Sequence, residues 1–259
     1  MNLFPSSTKS NGIGLLSGAL IISSLAPAAN AVVYSASSGG LSASADFSIV
    51  SGNLQIILTN TSLNDTVNSA GLLTGVYFTL PDGSTNSLSR VGGSVVLAPG
   101  SSVIGGGTDP GGVVGGEFAF VSNISLAPFI GYYGVSSSGL GIFGGGDRFP
   151  GTDLDSPASP NGSNYGIASA GDDVTTGNTG LLGEPFIKNS VLITLTAANG
   201  FNLNTLDLNA IGNVTFQYGT DLSEPRLTSI PETTSSFALG GVLVAGAFMR
   251  VRRKGRRSS

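Results

Sequence analysis

The stretch "SASADFSIVSGNLQIILTN", Ser42 to Asn60, decides the fold class. In its first half Ala43, Ala45, Phe47 and Ile49 alternate with Ser42, Ser44, Asp46 and Ser48. A period of two puts the first set on one face of an extended chain and the second set on the other, the pattern of a half-buried strand. Ser51-Gly52-Asn53 supplies turn chemistry and "LQIILTN" returns as a partner, so the stretch predicts a β-hairpin.

The same punctuation continues outward from this hairpin. Short β-branched or aromatic runs occur at Leu72–Leu80, Gly93–Pro99, Gly116–Val121, Asn189–Ala197 and Asn213–Thr220, separated by turn signals such as "PDGS" and "AANG". No apolar stripe of period 3.6 is sustained between the two ends. Many short strands with polar turns predict an all-β fold, an antiparallel β-sandwich of jelly-roll-like type, over residues 32–229. Its inward faces should include Phe47, Ile49, Ile56, Leu58, Val76, Phe78, Val214 and Phe216. In the continuous apolar run around Leu192 and Thr194, either parity is open.

Between Gly131 and Gly183 strand signal is sparse, yet Tyr132, Tyr133, Leu140, Ile142, Phe143, Phe149, Tyr165 and Ile167 are too many apolar anchors for a linker. A long, ordered loop excursion packed over one sheet is expected here. The alternative is a linker between two domains.

Composition narrows the chemistry. The 259 residues include 40 Gly and no Cys, His or Trp. Lacking His and Cys, the chain has no imidazole to activate a serine or shuttle protons near neutral pH, and neither disulfide scaffolding nor a usual zinc site. Of the 11 Lys and Arg, six lie in the last ten residues (Arg250, Arg252, Arg253, Lys254, Arg256, Arg257), leaving Arg90, Arg148, Lys188 and Arg226 in the middle. With 14 of the 15 acidic residues also there, the middle is acidic and unsuited to a row of phosphates, so no nucleic-acid partner is expected.

Candidate sites in the middle are few. Asp147, Asp153 and Asp155 in "GGGDRFPGTDLDS" put three carboxylates on a Gly- and Pro-rich loop, the oxygen donors that calcium takes. Their spacing matches no EF-hand, and Asp also caps turns with its own side chain. Asp172-Asp173 is the only adjacent acid pair, but neighbours on an extended chain point apart, which speaks against a glycosidase dyad. "GGGTDPGGVVGG", Gly105 to Gly116, lacks the Gly-Lys-Ser/Thr ending of a phosphate loop. Asn60, Asn64, Asn123, Asn161 and Asn213 each open an Asn-x-Ser/Thr triplet, a frequent coincidence in so polar a chain.

The two ends follow different rules. Lys9, the apolar run Ile13–Leu25 and "APAANA" with Ala29 and Ala31 before Val32 form a secretory signal peptide, residues 1–31, with signal-peptidase cleavage after Ala31. At the other end Pro231-Glu232-Thr233 precedes a charge-free stretch, residues 234–249, and the basic tail 250–259. Its apolar core, Phe237 to Met249, would reach only about 20 Å as a helix, against a hydrocarbon layer of about 30 Å, so it makes a marginal transmembrane helix. The arginines beyond it should stay cytoplasmic, placing the middle outside the inner membrane.

Motif, weak helix and basic cluster together resemble the PEP-CTERM sorting signal of exosortase-dependent bacterial surface proteins, here over residues 230–259. That family's pattern is Pro-Glu-Pro, and Thr233 stands in its third place. "SSGLGIFGGGDRFPGTDLDSPASPNGSNYGIAS", "IKNSV" and "FQYGTDLSEP" also look like the body shared by cyanobacterial-type members. The resemblance implies a non-enzymatic chain, exported and held in the inner membrane as an intermediate. An exosortase would then cut near Pro231, Glu232 and Thr233, releasing it to the cell surface or extracellular matrix. Signal peptidase and the exosortase are the implied processing partners, and extracellular polysaccharide is a candidate neighbour. No cofactor is implied, calcium at the three aspartates aside. An ordinary single-pass anchor, or a secreted β-sandwich that binds calcium or a glycan, would account for parts of the same pattern.

Overall fold

The computed structural model describes residues 31–81, 87–106, 114, 117–139, 152–153 and 163–231, with no account of the side chains of 90–94, 152–153 and 230–231. Within these the chain is all-β, folded as two sheets in a sandwich-like arrangement. The strands are β1 (Ala31–Ser38), β2 (Leu41–Val50), β3 (Asn53–Asn60), β4 (Leu73–Thr79), β5 (Leu88–Leu97), β6 (Ser102–Gly105), β7 (Ala119–Val121) and β8 (Tyr133–Ser136). They continue with β9 (Thr152–Asp153), β10 (Ile167–Ala168), β11 (Pro185–Lys188), β12 (Ser190–Ala197), β13 (Gly212–Tyr218), β14 (Arg226–Thr228) and β15 (Ile230–Pro231).

The first sheet runs β15-β1-β2-β3-β12-β5. Its nucleus is the hairpin read from the sequence: β2 and β3 pair from Ala43↔Asn60 to Val50↔Asn53 around a turn at Ser51 (φ 51) and Gly52 (φ 77). Gly39 (φ 60) and Gly40 (φ 85) make a second two-residue turn between β1 and β2. Two consecutive left-handed residues match the right-handed twist of the flanking strands, which is why glycine sits at both turns.

In the second sheet β4 is the spine. It pairs with β13 along one edge, and β8 and β10 share its other edge. From there β8 leads to β7 and β9, while β10 leads to β11 and β6. Every ladder is antiparallel except β10–β11, which is parallel. That exception to the antiparallel expectation arises because residues 169–184 return as a crossover, and no tight hairpin joins the two strands.

Alternation delivers the core. Ala43, Ala45, Phe47, Leu54, Ile56 and Leu58 from one sheet meet Val76, Phe78, Tyr133, Val135, Val214 and Phe216 from the other, all essentially closed to solvent. Around Leu192 the parity resolves to Val191, Ile193 and Leu195, which are buried; Leu192 and Thr194 are only half-buried, and so is Ile49. A ladder of rings crosses the sandwich: Tyr34 to Phe47 (5.4 Å, edge-on), Phe47 to Phe78 (5.2 Å, edge-on), then Phe78 stacked on Tyr133 (5.7 Å). Each fully buried ring or branched chain contributes about 1.5–3 kcal/mol relative to exposure.

The two sheets differ in what lies outside them. Tyr77 stacks on Phe129 at 3.9 Å with Ala119 and Ile124 alongside, and Leu72, Ala168, Leu181 and Phe186 form another cluster. The second sheet is therefore covered on both faces, and β4 "LTGVYFT" is buried almost throughout, the signature of a two-sided strand. The first sheet keeps a wet face of Ser44, Asp46, Ser48, Gln55, Thr59 and Thr194, with Ile57 left 36% exposed.

The expected excursion, Gly131–Gly183, does not merely pack over a sheet where it is described: it supplies β8 and β10 to the second sheet, with Tyr133 and Ile167 buried. Tyr132 and Tyr165 are half-buried, and Leu140, Ile142, Phe143 and Phe149 lie outside the described residues.

Candidate functional site

β15 adds to the free edge of β1 with Tyr34 opposite Pro231 and Ser35 opposite Ile230. β1 opens at Ala31, opposite Ser48. Pro231, the first residue of the C-terminal motif, thus lies in the sheet beside β1. Because the pair is antiparallel, β15 runs toward the end of the sheet where β1 begins. Tyr34 fastens this corner: its hydroxyl lies 2.7 Å from the Leu208 carbonyl oxygen and 2.8 Å from that of Ile211, and burial pushes its pKa up to about 12. Ala29, Glu232 and Thr233 lie outside the described residues, as do residues 1–30, all of the expected signal peptide but Ala31, and the apolar run Phe237–Met249. Among the described residues no helix is long and apolar enough to cross a membrane.

The calcium candidates are not brought together by what is described. Asp153 lies in β9 opposite Ala119, while Asp147 and Asp155 lie outside the described residues. Among the described residues no group of three or more acidic, His or Cys side chains is placed to hold a metal ion.

Asp172 and Asp173 do part, as neighbours on an extended chain should. Asp172 is buried and accepts from the Thr66 N–H at 2.9 Å, whereas Asp173 is exposed and accepts from the Thr175 N–H at 3.0 Å and its hydroxyl at 2.8 Å. A third carboxylate that sequence reasoning passed over completes the cluster: Asp65 accepts from the Asp173 N–H at 2.8 Å and from the Thr176 hydroxyl. Burial holds the Asp172 carboxyl above its ordinary pKa. The Thr176 hydroxyl and Asp173 amide lower Asp65, and the Thr175 amide and hydroxyl lower Asp173. The Asp65 and Asp172 carboxylates are spent on stitching loop 61–72 to loop 169–178 and that of Asp173 on ordering its own loop, with the stitching reinforced by Ser169 Oγ donating to the Asn64 carbonyl at 3.2 Å and Asn178 N to the Val67 carbonyl at 2.9 Å. Such an arrangement orders backbone; it is not a pair of acids facing each other across a bond to be cut.

Asn60 shows why a triplet is a poor guide. Its side chain is 1% exposed, with Nδ2 donating to the carbonyls of Ile167 (2.7 Å) and Gly71 (3.2 Å) and Oδ1 accepting from Ser62 N (3.1 Å). It joins the two sheets and is closed to modification in the folded chain. Asn123, at a bend, and Asn213, at the irregular start of β13, are exposed with left-handed backbone, and Asn161 lies outside the described residues. Of the Gly-rich stretch, Gly105 ends β6 against Pro185, and Val114 is buried with its N–H on the Val95 carbonyl at 2.8 Å.

At the end of the sandwich opposite Ala31, the Gly39-Gly40 turn and loop 61–72 enclose an open groove of about 540 Å³. It continues past Gly40 and Asn64 into a smaller hollow of about 250 Å³ that reaches Asp65. Neither was legible from the sequence, which shows turn residues but not which turns meet.

Comparison with models of protein families, with characterised proteins and with solved structures yields no match to this chain.

Proposed function

We propose that the chain is an exported bacterial surface protein of sandwich-like fold. Signal peptidase removes residues 1–31, the segment Phe237–Met249 holds the chain in the inner membrane, and an exosortase cuts near Pro231 to Thr233. What carries the reading is the tripartite C-terminus: a Pro-Glu-Thr motif, a marginal transmembrane stretch, and six cations in the last ten residues. Cleavage after Ala31 would take one residue, Ala31 opposite Ser48, from the β1 ladder, and a cut beyond Pro231 would leave β15 paired with β1. The delivered domain performs no catalysis in this scheme; it is a component of the surface or matrix.

The test is genetic. Pro231→Ala with Glu232→Ala in the native host should leave the chain in the inner-membrane fraction with its basic tail attached, as should loss of the exosortase. Release of the double variant at the unaltered rate would reject the motif's role.

A further inference from the structure

We infer that the groove between the Gly39-Gly40 turn and loop 61–72 binds a neutral glycan chain. This goes beyond the processing scheme, since it assigns the delivered domain a ligand. The volume, about 540 Å³, lies in the range of about 300–1,000 Å³ usual for small-ligand clefts. Its walls carry the hydroxyls of Ser37, Ser38, Ser42 and Thr61 and the amide of Asn64; the Ser42 and Thr61 hydroxyls bond each other at 2.7 Å and Asn64 Nδ2 donates to the Gly40 carbonyl at 3.5 Å, which leaves them their remaining lone pairs and protons for a ligand, and no Lys or Arg lines either hollow. Uncharged donors and acceptors suit sugar hydroxyls, and without a cation there is nothing to hold a phosphate or a uronate.

Two further observations favour a sugar. Leu63 is 95% exposed on the rim, an aliphatic surface to lie against the C–H face of a pyranose ring. It is also held still. On one side the Thr61 N–H donates to the Ser42 carbonyl at 2.8 Å and Ser62 Oγ accepts from the Ser42 N–H at 3.0 Å. On the other side Asn64, Asp65 and Thr66 are tied to loop 169–178 as described above. A leucine displayed on a loop pinned at both flanks loses little further freedom on binding, the condition under which shallow grooves gain affinity. The floor is glycine for a reason: Gly40 holds φ 85, a conformation side chains rarely adopt, beside Asn64.

Location fits the same ligand. β1 runs from Ala31 to Ser38, so the groove stands about 23 Å, at about 3.3 Å per residue, from the end where both proposed cuts fall. A domain delivered by its C-terminal end presents this groove outward.

The experiment titrates the purified protein with a panel of neutral hexaoses (gluco-, galacto-, manno- and xylo-) and with oligogalacturonate as the anionic comparator, read by amide chemical shifts and calorimetry. We expect saturable binding of at least one neutral hexaose, with shifts at Gly39, Gly40, Leu63 and Asn64, and about tenfold weaker binding in Leu63→Ser at unchanged Tm. Ile130→Ser, a substitution at an isoleucine 66% exposed and outside the groove, should bind as the parent does. No shift with any neutral hexaose at 10-millimolar order, equal binding of the anionic comparator, or shifts centred elsewhere overturns the assignment. Processing is read separately from the masses of the termini, so the groove and the sorting scheme fail independently.

Discussion

Phe47 is the residue on which the two sheets meet, and truncating it tests their packing. Its ring is fully buried and touches Tyr34 at 5.4 Å within its own sheet and Phe78 at 5.2 Å across the sandwich. Phe47→Ala removes a buried ring and leaves a cavity bounded by two sheets that cannot both close on it, a loss of about 3–5 kcal/mol. For a domain near 200 residues each kcal/mol moves Tm by about 2–4 °C, so a fall of about 10 °C is expected. The part owed to the contact between sheets is isolated by the cycle Phe47→Leu, Phe78→Leu and the double variant. Edge-on pairs are worth about 0.5–1.5 kcal/mol beyond area, so the double variant should be less destabilised than the two singles together by that amount. Urea unfolding followed by far-ultraviolet circular dichroism gives the four free energies. A coupling under about 0.3 kcal/mol, within the scatter of independent sites, would mean that the two rings do not touch and that the sheets do not face each other here.

Ile56 is fully buried and its neighbour Ile57 is 36% exposed, so Ile56→Ala should cost about 2–5 kcal/mol in urea unfolding and Ile57→Ala under about 1; equal costs would mean that the register of β3 is wrong. Asp46 stands on the wet face of β2 with Oδ1 buried and unpartnered among the described residues, and burial raises its pKa. A raised carboxyl costs stability as pH climbs through its ordinary value near 4, so Asp46→Thr should gain about 1 kcal/mol at pH 7, reduced in proportion to the half-exposure of the site, and the gain should vanish at pH 3; a gain independent of pH would point to strand propensity alone. Gly134 in β8 leaves no room for a Cβ, which would lie 2.7 Å from Tyr77 Cδ1, so Gly134→Ala should displace the ring stacked on Phe129 and lower stability by about 1–3 kcal/mol, with altered near-ultraviolet tyrosine dichroism.

The sequence revealed some of these elements more readily than others for a physical reason. β2 and β3 were legible because one face is wet: alternation survives only where water sits opposite the core. β12 hid its parity, since Leu192 and Thr194 on its outer side are themselves half-buried beside Val191 and Ile193. β8 was missed inside the long excursion because "YGVS" is four residues, includes a glycine required by Tyr77, and is buried on both faces. β10, β14 and β15 are two or three residues each, too short to carry a period, and exist only because a longer neighbour offers an edge. Among candidate sites, the sequence marked Asp172-Asp173 but not Asp65, which lies 107 residues upstream of Asp172 and joins it only through the closure of two loops. The groove was invisible for the same reason: its walls come from turns whose meeting is a property of the sheet.

The proposal that this chain is cut at both ends and delivered to the surface is tested most directly by the intact mass and terminal peptides of the protein extracted from the surface of its native host. The predicted mature chain begins at Val32 and ends between Pro231 and Thr233, retaining β15 and lacking the cationic tail. Recovery of a surface form that still carries "RRKGRRSS", Arg252 to Ser259, would contradict it.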